Sequence, residues 1–336
     1  MMILTLAKAA RLGAVHLAAA ASLGLCAPSL SLSLSLAGIR PAAAEPVTLP
    51  GLEERVLVSK GGLAYRIFIA VPKAPPPPEG YPVAYVLDGN SVMGTLADIA
   101  RGGTLAEGGI MDPAVLVAIG YPGDAPINMP RRAKDLTMAP ATPEKGSWTY
   151  LTPEGTGGAD TFLAFIEDEL KPAIAASFKV NPARQALMGH SFGGLFTLHV
   201  LFTRPQAFST YGAASPSLWW ANGAIAQEEA AFARHLASHP SKTRKRLLLT
   251  VGAYEQELHP LLRAGEKAQA TARKQAERRM VDGARDLAAR IEALPGAPVD
   301  VSLTIFPGQT HASAAPHALL LGLETFLAPQ PAEARP

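Results

Sequence analysis

Residues 185–202, QALMGHSFGGLFTLHVLF, place Ser191 between glycines, after a short apolar run and before a longer one. Two interpretations fit this stretch: a nucleophile on a sharp strand-to-helix turn, or an ordinary glycine-rich turn that contains a serine. The Gly-x-Ser-x-Gly pattern is weak evidence by itself, because the chain has 30 glycines among 336 residues. Its context favours the nucleophile, since QALM is typical of a strand and GGLFTLHVLF of a buried helix.

Similar apolar runs that end in Gly or Pro surround this stretch: VAYVLDGN, AVLVAIGYPGD, RLLLTVGAYE and VDVSLTIFPGQTH. Helical patterns separate them, most clearly DTFLAFIEDELKPAIAASF, and RVLVSKGGLAYRIFIAV indicates a hairpin near the start. Strands that alternate with helices predict an α/β protein of the α/β-hydrolase fold, with a mostly parallel central sheet and helices on both faces. Residues 256–294 form a charged helical stretch, whose basic cluster at 273–279 we interpret as a solvated helix face.

Composition limits the domain count and the partners. A chain of 336 residues with 48% hydrophobic content can bury a large core, and we expect one domain over residues 45–336. The net charge of +2 gives no strong field for nucleic acid, so we expect a small molecule as partner.

The first 44 residues resemble a secretory signal. Lys8 and Arg11 precede an apolar stretch of small residues, which ends in Ala42, Ala43 and Ala44 before Glu45. This pattern predicts cleavage after position 44, a periplasmic or secreted product, and no stable membrane insertion afterwards. Cleavage would remove Cys26, the single cysteine, and leave no thiol for redox or metal chemistry.

A serine nucleophile needs a base, and His311 is the best placed of the eight histidines. It follows the strand VSLTIF by a short Pro-Gly loop, which would present it at the same sheet edge as Ser191. His317 is the competitor, and we interpret it as a residue of a helix surface. The order Ser, acid, His of hydrolases with this architecture agrees with the choice of His311.

The acid should follow the strand between these two residues. RLLLTVGAYEQE supplies Glu255 and Glu257 there, and Glu255 is preferred because it comes first after the turn at Gly252. A carboxylate at this place would orient the imidazole and stabilise its charged form.

The developing oxyanion needs two N–H donors. Phe192, directly after the serine, supplies one, and the backbone of Gly89 or Asn90 in LDGN is the natural source of the other. Without the serine turn, Asp88-Gly89 would read as a simple turn.

Several segments together resemble the esterase D (Putative esterase) family of α/β-hydrolases, especially its enterobactin and bacillibactin esterase branch. The matching segments run in order over roughly residues 50–328: PVAYVLDGN, VAIGYP, RRAKDLT, the long stretch around GHSFGG, VGAYEQE and FPGQTHAS. The resemblance implies Ser191 as nucleophile, His311 as base and an acid near Glu255, with no metal or cofactor. Some periplasmic members work with a Ser-His pair, which leaves the need for Glu255 open.

The resemblance also implies residues that contact substrate. SPSLWW would lie beside the pocket, which makes Ser215, Trp219 and Trp220 candidates, although the tryptophans could equally be core. Arg131 and Arg132 lie in a region that is near the substrate in such enzymes, where they could meet an anionic siderophore or form a loop salt bridge.

These observations predict an exported serine hydrolase that cleaves a small-molecule ester through an acyl-enzyme, with a trilactone siderophore, in its apo or ferric form, as substrate. The alternatives are a short-chain carboxylesterase, an acyl thioesterase and a catalytically silent binding protein with a hydrolase fold.

Overall fold

The computed structural model describes residues 48–329, apart from 104–110, 141–148, 240–242, 263–264, 295 and 297–298. The predicted signal, residues 1–44, lies outside the described residues. From Thr48 onward the chain forms one compact unit.

Eight strands of the described residues form a single sheet, in the spatial order β1-β2-β4-β3-β5-β6-β7-β8. Their bounds are β1 (Leu52–Val58), β2 (Ala64–Ala70), β3 (Tyr81–Leu87), β4 (Val115–Gly120), β5 (Val180–His190), β6 (Thr210–Ala214), β7 (Lys245–Gly252) and β8 (Val299–Phe306). β2 runs antiparallel to both of its neighbours, and all other pairs are parallel. The predicted mostly parallel sheet and the hairpin of β1 and β2 are confirmed.

Ten α-helices connect and flank the strands in the described part of the chain. They are α1 (Gly89–Gly103), α2 (Met129–Asp135), α3 (Ala159–Phe165), α4 (Lys171–Ser177), α5 (Phe192–Thr203), α6 (Trp220–Gly223), α7 (Ile225–Ser238), α8 (Glu266–Arg278), α9 (Met280–Glu292) and α10 (His311–Leu327). The predicted helix around DTFLAFIEDELKPAIAASF is α3 and α4 joined by a π-helical segment, Ile166–Leu170. Pro172 explains this departure, because it has no N–H to offer the carbonyl four residues earlier.

The two faces of the sheet carry separate apolar cores. Side chains that alternate along β3 show the division: Tyr85 packs on the face covered by α3, α5, α7 and α9, and Val86 on the face covered by α1 and α10. Helix α5 is buried nearly all round, as a central helix of a doubly covered sheet must be. The predicted helices on both faces are therefore confirmed.

Helices α8 and α9 come from the charged stretch between β7 and β8. The helix breaks at Arg279, whose φ of 48° lies in the left-handed region and turns the chain.

Within the residues that the structure describes, no helix combines the length and the apolar character of a membrane span.

Candidate active site

Ser191 lies on the turn between β5 and α5, and its backbone has a conformation that residues with a side chain rarely adopt. Its φ is 62° and its ψ is −115°, outside the regions open to most residues. A backbone hydrogen bond of 2.9 Å from Ser191 N to Ala214 O fixes the turn against β6. Strain of this kind, which costs about 1–3 kcal/mol, often marks a functional side chain.

The glycines around Ser191 are required by space. A Cβ atom on Gly189 would lie 2.5 Å from the backbone of Gly193, and one on Gly194 would lie 2.5 Å from Ala214 O. Neither position can hold a larger residue unless the backbone moves. The glycines therefore allow the close approach of β5, α5 and β6 that presents Ser191 at the sheet edge.

The Ser191 side chain lines a cavity at the N-terminus of α5. Its Oγ lies 3.4 Å from Ser217 Oγ. No side chain caps α5, so the amide of Phe192, its first residue, is one of the N–H groups that helix geometry leaves without an intrahelical partner. Such N–H groups, with the helix dipole, stabilise negative charge at this point.

His311 and Glu255 form a charge-assisted pair at the same edge. His311 begins α10, directly after the loop that follows β8, and Glu255 ends a short 3₁₀ turn after β7. His311 Nδ1 lies 2.6 Å from Glu255 Oε2. The pair leaves Nε2 of the imidazole as the nitrogen available for proton transfer.

Glu255 is buried, and three donors surround it. Oε1 accepts hydrogen bonds from Ser215 Oγ at 2.5 Å and from Gly252 N at 2.6 Å. Burial alone would raise the pKa of Glu255, but the hydrogen bond and charge of His311 and these two donors outweigh it and hold the pKa below its ordinary value. The carboxylate is therefore ionised where an imidazolium would need it.

The loops that carry Glu255 and His311 contact each other directly. Tyr254 N donates a hydrogen bond of 2.9 Å to Gln309 O. A Cβ atom on Gly252 would lie 2.5 Å from the same carbonyl, so only glycine fits there. The backbone thus sets the spacing between Glu255 and His311.

The two competing residues lie elsewhere. Glu257 is exposed. The imidazole of His317 lies on the first turns of α10, where its Nδ1 is 3.0 Å from Ser313 O.

Ser191 and His311 line the same cavity, but among the described residues no hydrogen bond joins them. The Ser191 hydroxyl faces Ser217 instead. In enzymes without bound substrate such contacts are often long and form only in the complex.

His190 packs against His311, with ring centroids 4.5 Å apart. Its Nε2 is buried and has no partner among the described residues. Burial, followed by the charge of His311, lowers the pKa of His190 to about 3. His190 therefore stays neutral and adds no charge next to the His311–Glu255 pair.

Of the residues predicted for an oxyanion hole, Phe192 lines the cavity, and Gly89 and Asn90 lie between the lining residues Asp88 and Ser91. The side-chain amide of Asn90 contacts the loop after β4, where its Oδ1 accepts a hydrogen bond of 2.8 Å from Tyr121 N. A Cβ atom on Gly89 would lie 2.9 Å from the backbone of β4, so this position also requires glycine.

Arg132 lines the cavity but is already paired. Its Nε and Nη2 donate to the two oxygens of Asp88, each at 2.9 Å, and Nη2 also donates to His190 O at 3.2 Å. Burial would lower the pKa of Arg132, but the Asp88 carboxylate outweighs it and raises the pKa. The structure thus gives the predicted loop salt bridge rather than a free guanidinium.

Arg131 does not line the cavity. It donates to Asp135 at 3.4 Å, and its guanidinium lies over the rings of Tyr65 and Tyr121. The arginine pair therefore does not present two free cations to a ligand.

The segment SPSLWW divides between the cavity and the core. Ser217 and Trp219 line the cavity. Ser215 is fully buried against Glu255, and Trp220 is 4% exposed and donates from Nε1 to Ala139 O at 3.2 Å. Ser215 thus holds the Glu255 carboxylate, and Trp220 belongs to the core.

The cavity has a volume of about 650 Å³, and α8 contributes to it. Gln275 and Arg278 line it, and the Arg278 guanidinium lies 4.3 Å from the centre of the Trp219 ring. The interpretation of the whole basic cluster as a solvated face is wrong for Arg278, because the end of α8 packs over Trp219. The sequence carries no local signal for this contact.

Comparison with known proteins gives a consistent set of relatives. The family described as Putative esterase matches residues 62–287. The ferri-bacillibactin esterase BesA of Bacillus subtilis (strain 168) is 38% identical over 291 residues, covering 84% of this chain and 91% of that protein. The siderophore triacetylfusarinine C esterase of Aspergillus fumigatus is 36% identical over 300 residues, covering 84% and 94%.

A solved structure is also similar to this chain. The siderophore hydrolase EstB from Aspergillus nidulans superposes with a TM-score of 0.74 at 30% identity, covering 86% of this chain and 100% of that one. The similarity therefore includes the arrangement of the chain as well as its sequence.

Proposed function

The chain belongs to the Putative esterase family, and we propose that it is a serine hydrolase that cleaves carboxylic esters through an acyl-enzyme intermediate. One observation carries this proposal. The His311–Glu255 pair, at 2.6 Å, lines the same cavity as a serine held at a φ of 62°. A strained serine and a histidine paired to a buried carboxylate are the parts that nucleophilic ester cleavage requires.

In the first half of the reaction, Ser191 Oγ forms a bond to the ester carbonyl carbon while its proton passes to Nε2 of His311. This step requires the Ser191 hydroxyl to turn from Ser217 toward His311. Glu255 stabilises the imidazolium through Nδ1. The bond between the carbonyl carbon and the alcohol oxygen then breaks, and the leaving oxygen takes the proton from Nε2.

The tetrahedral intermediate places negative charge on the former carbonyl oxygen. The amide of Phe192 is one proposed donor, and the backbone of Gly89 or Asn90 is the proposed source of the second. Water then attacks the acyl-enzyme by the same route, with His311 again taking the proton. The bond between the carbonyl carbon and Ser191 Oγ then breaks, Oγ takes the proton back from Nε2 of His311, and the carboxylic acid product leaves.

For the substrate, we propose an ester-linked siderophore of the trilactone kind. Two relatives that match over most of their length are named as siderophore esterases, of bacillibactin and of triacetylfusarinine C. The cavity of about 650 Å³ is in the range that binds compact small molecules.

We also propose that residues 1–44 are an export signal, and that the mature chain is one hydrolase domain over residues 45–336 in the periplasm or outside the cell. The basic start, the apolar stretch and the three alanines before Glu45 support the signal. Expression in a Gram-negative host, fractionation and N-terminal sequencing would check it. A periplasmic product that begins at Glu45 is expected, and a cytoplasmic product that retains Met1 would contradict the proposal.

The nucleophile can be tested with a fluorophosphonate probe, which labels only activated serines. We expect labelling of the wild-type protein and none of Ser191→Ala. Ser217→Ala is the matched control, because Ser217 also lines the cavity and should leave labelling intact. Labelling that persists in Ser191→Ala, or hydrolysis of a p-nitrophenyl ester at the original rate, would overturn the assignment. Absence of any labelling would favour a silent binding protein.

The substrate can be tested by incubating the protein with apo and ferric enterobactin beside short-chain acyl esters and acyl thioesters. Mass spectrometry would follow the linear products. We expect the siderophore lactones to open. Intact lactones together with fast turnover of an acyl ester would leave a general carboxylesterase, and fast turnover of the thioester alone would leave a thioesterase.

A further inference from the structure

Arg278 is the last residue of α8 and lines the cavity together with Ser191 and His311. Its guanidinium lies over the face of Trp219, 4.3 Å from the ring centre. This cation–π contact holds the group in place.

The other charged side chains of the lining already have partners. Asp88 pairs with Arg132 at 2.9 Å, and Glu255 pairs with His311 at 2.6 Å. Among the described residues, Arg278 forms no ion pair and no hydrogen bond. In the part of the lining that the structure describes, Arg278 is therefore a guanidinium without a carboxylate partner, whereas Arg132 is paired with Asp88.

The Arg278 guanidinium is partly buried, and its partial loss of hydration favours the binding of an anion. Burial lowers the pKa of Arg278 from its ordinary value, because the guanidinium has lost part of its hydration. A guanidinium is nevertheless protonated at every physiological pH. A cation that is partly dehydrated and lacks a carboxylate partner gains most from an anion that enters the same space.

We infer that Arg278 is a specificity residue that binds a negatively charged group of the substrate, with Trp219 as the adjoining flat surface. This inference rests on the proposed function and narrows it to anionic esters. The guanidinium fork can donate two parallel hydrogen bonds to a catecholate or carboxylate, and Trp219 can pack against an aromatic ring.

The inference separates two classes of ferric siderophore. On binding Fe³⁺, each catecholate brings two negative charges and each hydroxamate brings one. A ferric tris-catecholate is therefore a net anion, whereas a ferric tris-hydroxamate is neutral at the metal centre. Arg278 selects the anionic, catecholate class.

Binding to the Ser191→Ala protein tests this, because the ligand stays intact. The probes are ferric enterobactin and a neutral ferric tris-hydroxamate such as ferrichrome, followed by quenching of tryptophan fluorescence. We expect ferric enterobactin to bind at least tenfold more tightly. Arg278→Gln, added to Ser191→Ala, should reduce that preference at least fivefold, and Arg278→Lys should retain part of it.

Arg273→Gln is the matched control, because this substitution removes the same charge from an exposed position on the same helix. Its preference should stay within twofold of the parent protein. An unchanged preference in Arg278→Gln, an equal loss in Arg273→Gln, or tighter binding of the neutral complex would overturn the inference. Hydrolysis by the protein with Ser191 intact is measured separately, so selective binding without hydrolysis would reject the proposed function and leave the role of Arg278 in place.

Discussion

Ser215 donates a hydrogen bond of 2.5 Å to Oε1 of Glu255, the carboxylate oxygen that does not contact His311. Both residues are buried, and Ser215 has a φ of 43°, so the turn after β6 is distorted at the point where it meets Glu255. The carboxylate is therefore fixed from one side by Ser215 and Gly252 and presents its other oxygen to the imidazole. This arrangement makes the orientation of His311 depend on two residues, Ser215 and Gly252, that do not line the cavity.

Glu255→Gln should lower kcat for ester hydrolysis more than tenfold and leave the fold intact, because an amide cannot stabilise the imidazolium as a carboxylate does. Steady-state kinetics with a p-nitrophenyl ester, and circular dichroism for the fold, would check this. Glu257→Gln is the matched control and should retain activity within twofold, since Glu257 is exposed. A loss below threefold in Glu255→Gln, with Glu257→Gln harmful instead, would move the acid two residues along.

Ser215→Ala should lower kcat severalfold, and the further loss of activity that follows protonation of Glu255 should begin at a higher pH than in the wild type. Loss of a hydrogen bond to the ionised carboxylate raises the pKa of Glu255, so the carboxylate protonates earlier as the pH falls. Ser217→Ala removes a neighbouring buried hydroxyl that does not contact Glu255, and its profile should keep the wild-type midpoint. Identical shifts in both variants would contradict a specific role for Ser215.

Ser191→Gly should be more stable than Ser191→Ala by about 1 kcal/mol, although neither should hydrolyse esters. Glycine adopts the observed φ and ψ without strain, and this gain of about 1–3 kcal/mol exceeds its extra entropy in the unfolded chain. Urea denaturation gives the two free energies of unfolding. If the alanine variant were equally stable or more so, the turn would not be strained in solution.

Acidification should destabilise the protein partly through His190. Its pKa is about 3 in the folded protein, against about 6.5 in an unfolded chain. Between these values the unfolded state binds more protons, so the free energy of unfolding falls as the pH falls, by up to about 2 kcal/mol at pH 5. Glu255 acts in the same direction but only below the ordinary glutamate pKa.

The measurement is the free energy of unfolding from pH 8 to pH 5, for the wild type and His190→Gln. The variant should lose less stability over this interval, because the buried titrating group is gone. Parallel curves for the two proteins would show that His190 titrates normally in the folded state.

Gly194→Ala should destabilise the protein by more than about 2 kcal/mol, because its Cβ would lie 2.5 Å from Ala214 O. Gly94→Ala is the matched control on the exposed side of α1. Apart from its chain neighbours and the backbone of its own helix, no described atom lies within 4 Å of its Cβ position, so the change should stabilise the protein by about 0.5–1 kcal/mol. Thermal unfolding of both variants checks the pair, and a tolerated alanine at position 194 would contradict the close packing of α5 on β6.

The turn at Ser191 could be predicted because its signals are local: small residues, an apolar strand before it and an apolar helix after it. The same holds for the position of His311, one short loop after an apolar strand. The sequence predicts that the segment SPSLWW lies beside the cavity, but it does not predict which of its side chains line the cavity. Ser217 and Trp219 do, and Ser215 and Trp220 do not. An irregular turn has no period, so nothing in the sequence says which side chains face inward.

The contact of Arg278 with Trp219 could not be predicted for a different reason. It depends on where α8 stops, at the left-handed residue Arg279, and on how the end of that helix meets a turn far away in the chain. A basic run on a charged helix is usually solvated, and only tertiary packing makes one member an exception.

The hydrogen bond from Tyr254 to Gln309 also limits how such enzymes can be recombined. The loop after β7 and the loop after β8 fit through one shared carbonyl, which occupies the space that a side chain at position 252 would need. A chimera that takes one loop from a relative and keeps the other would have to reproduce this fit between two loops from different chains. Grafting of new specificity onto this scaffold should therefore move both loops as a single cassette and keep Ser215, which hydrogen-bonds Glu255 in the loop after β7.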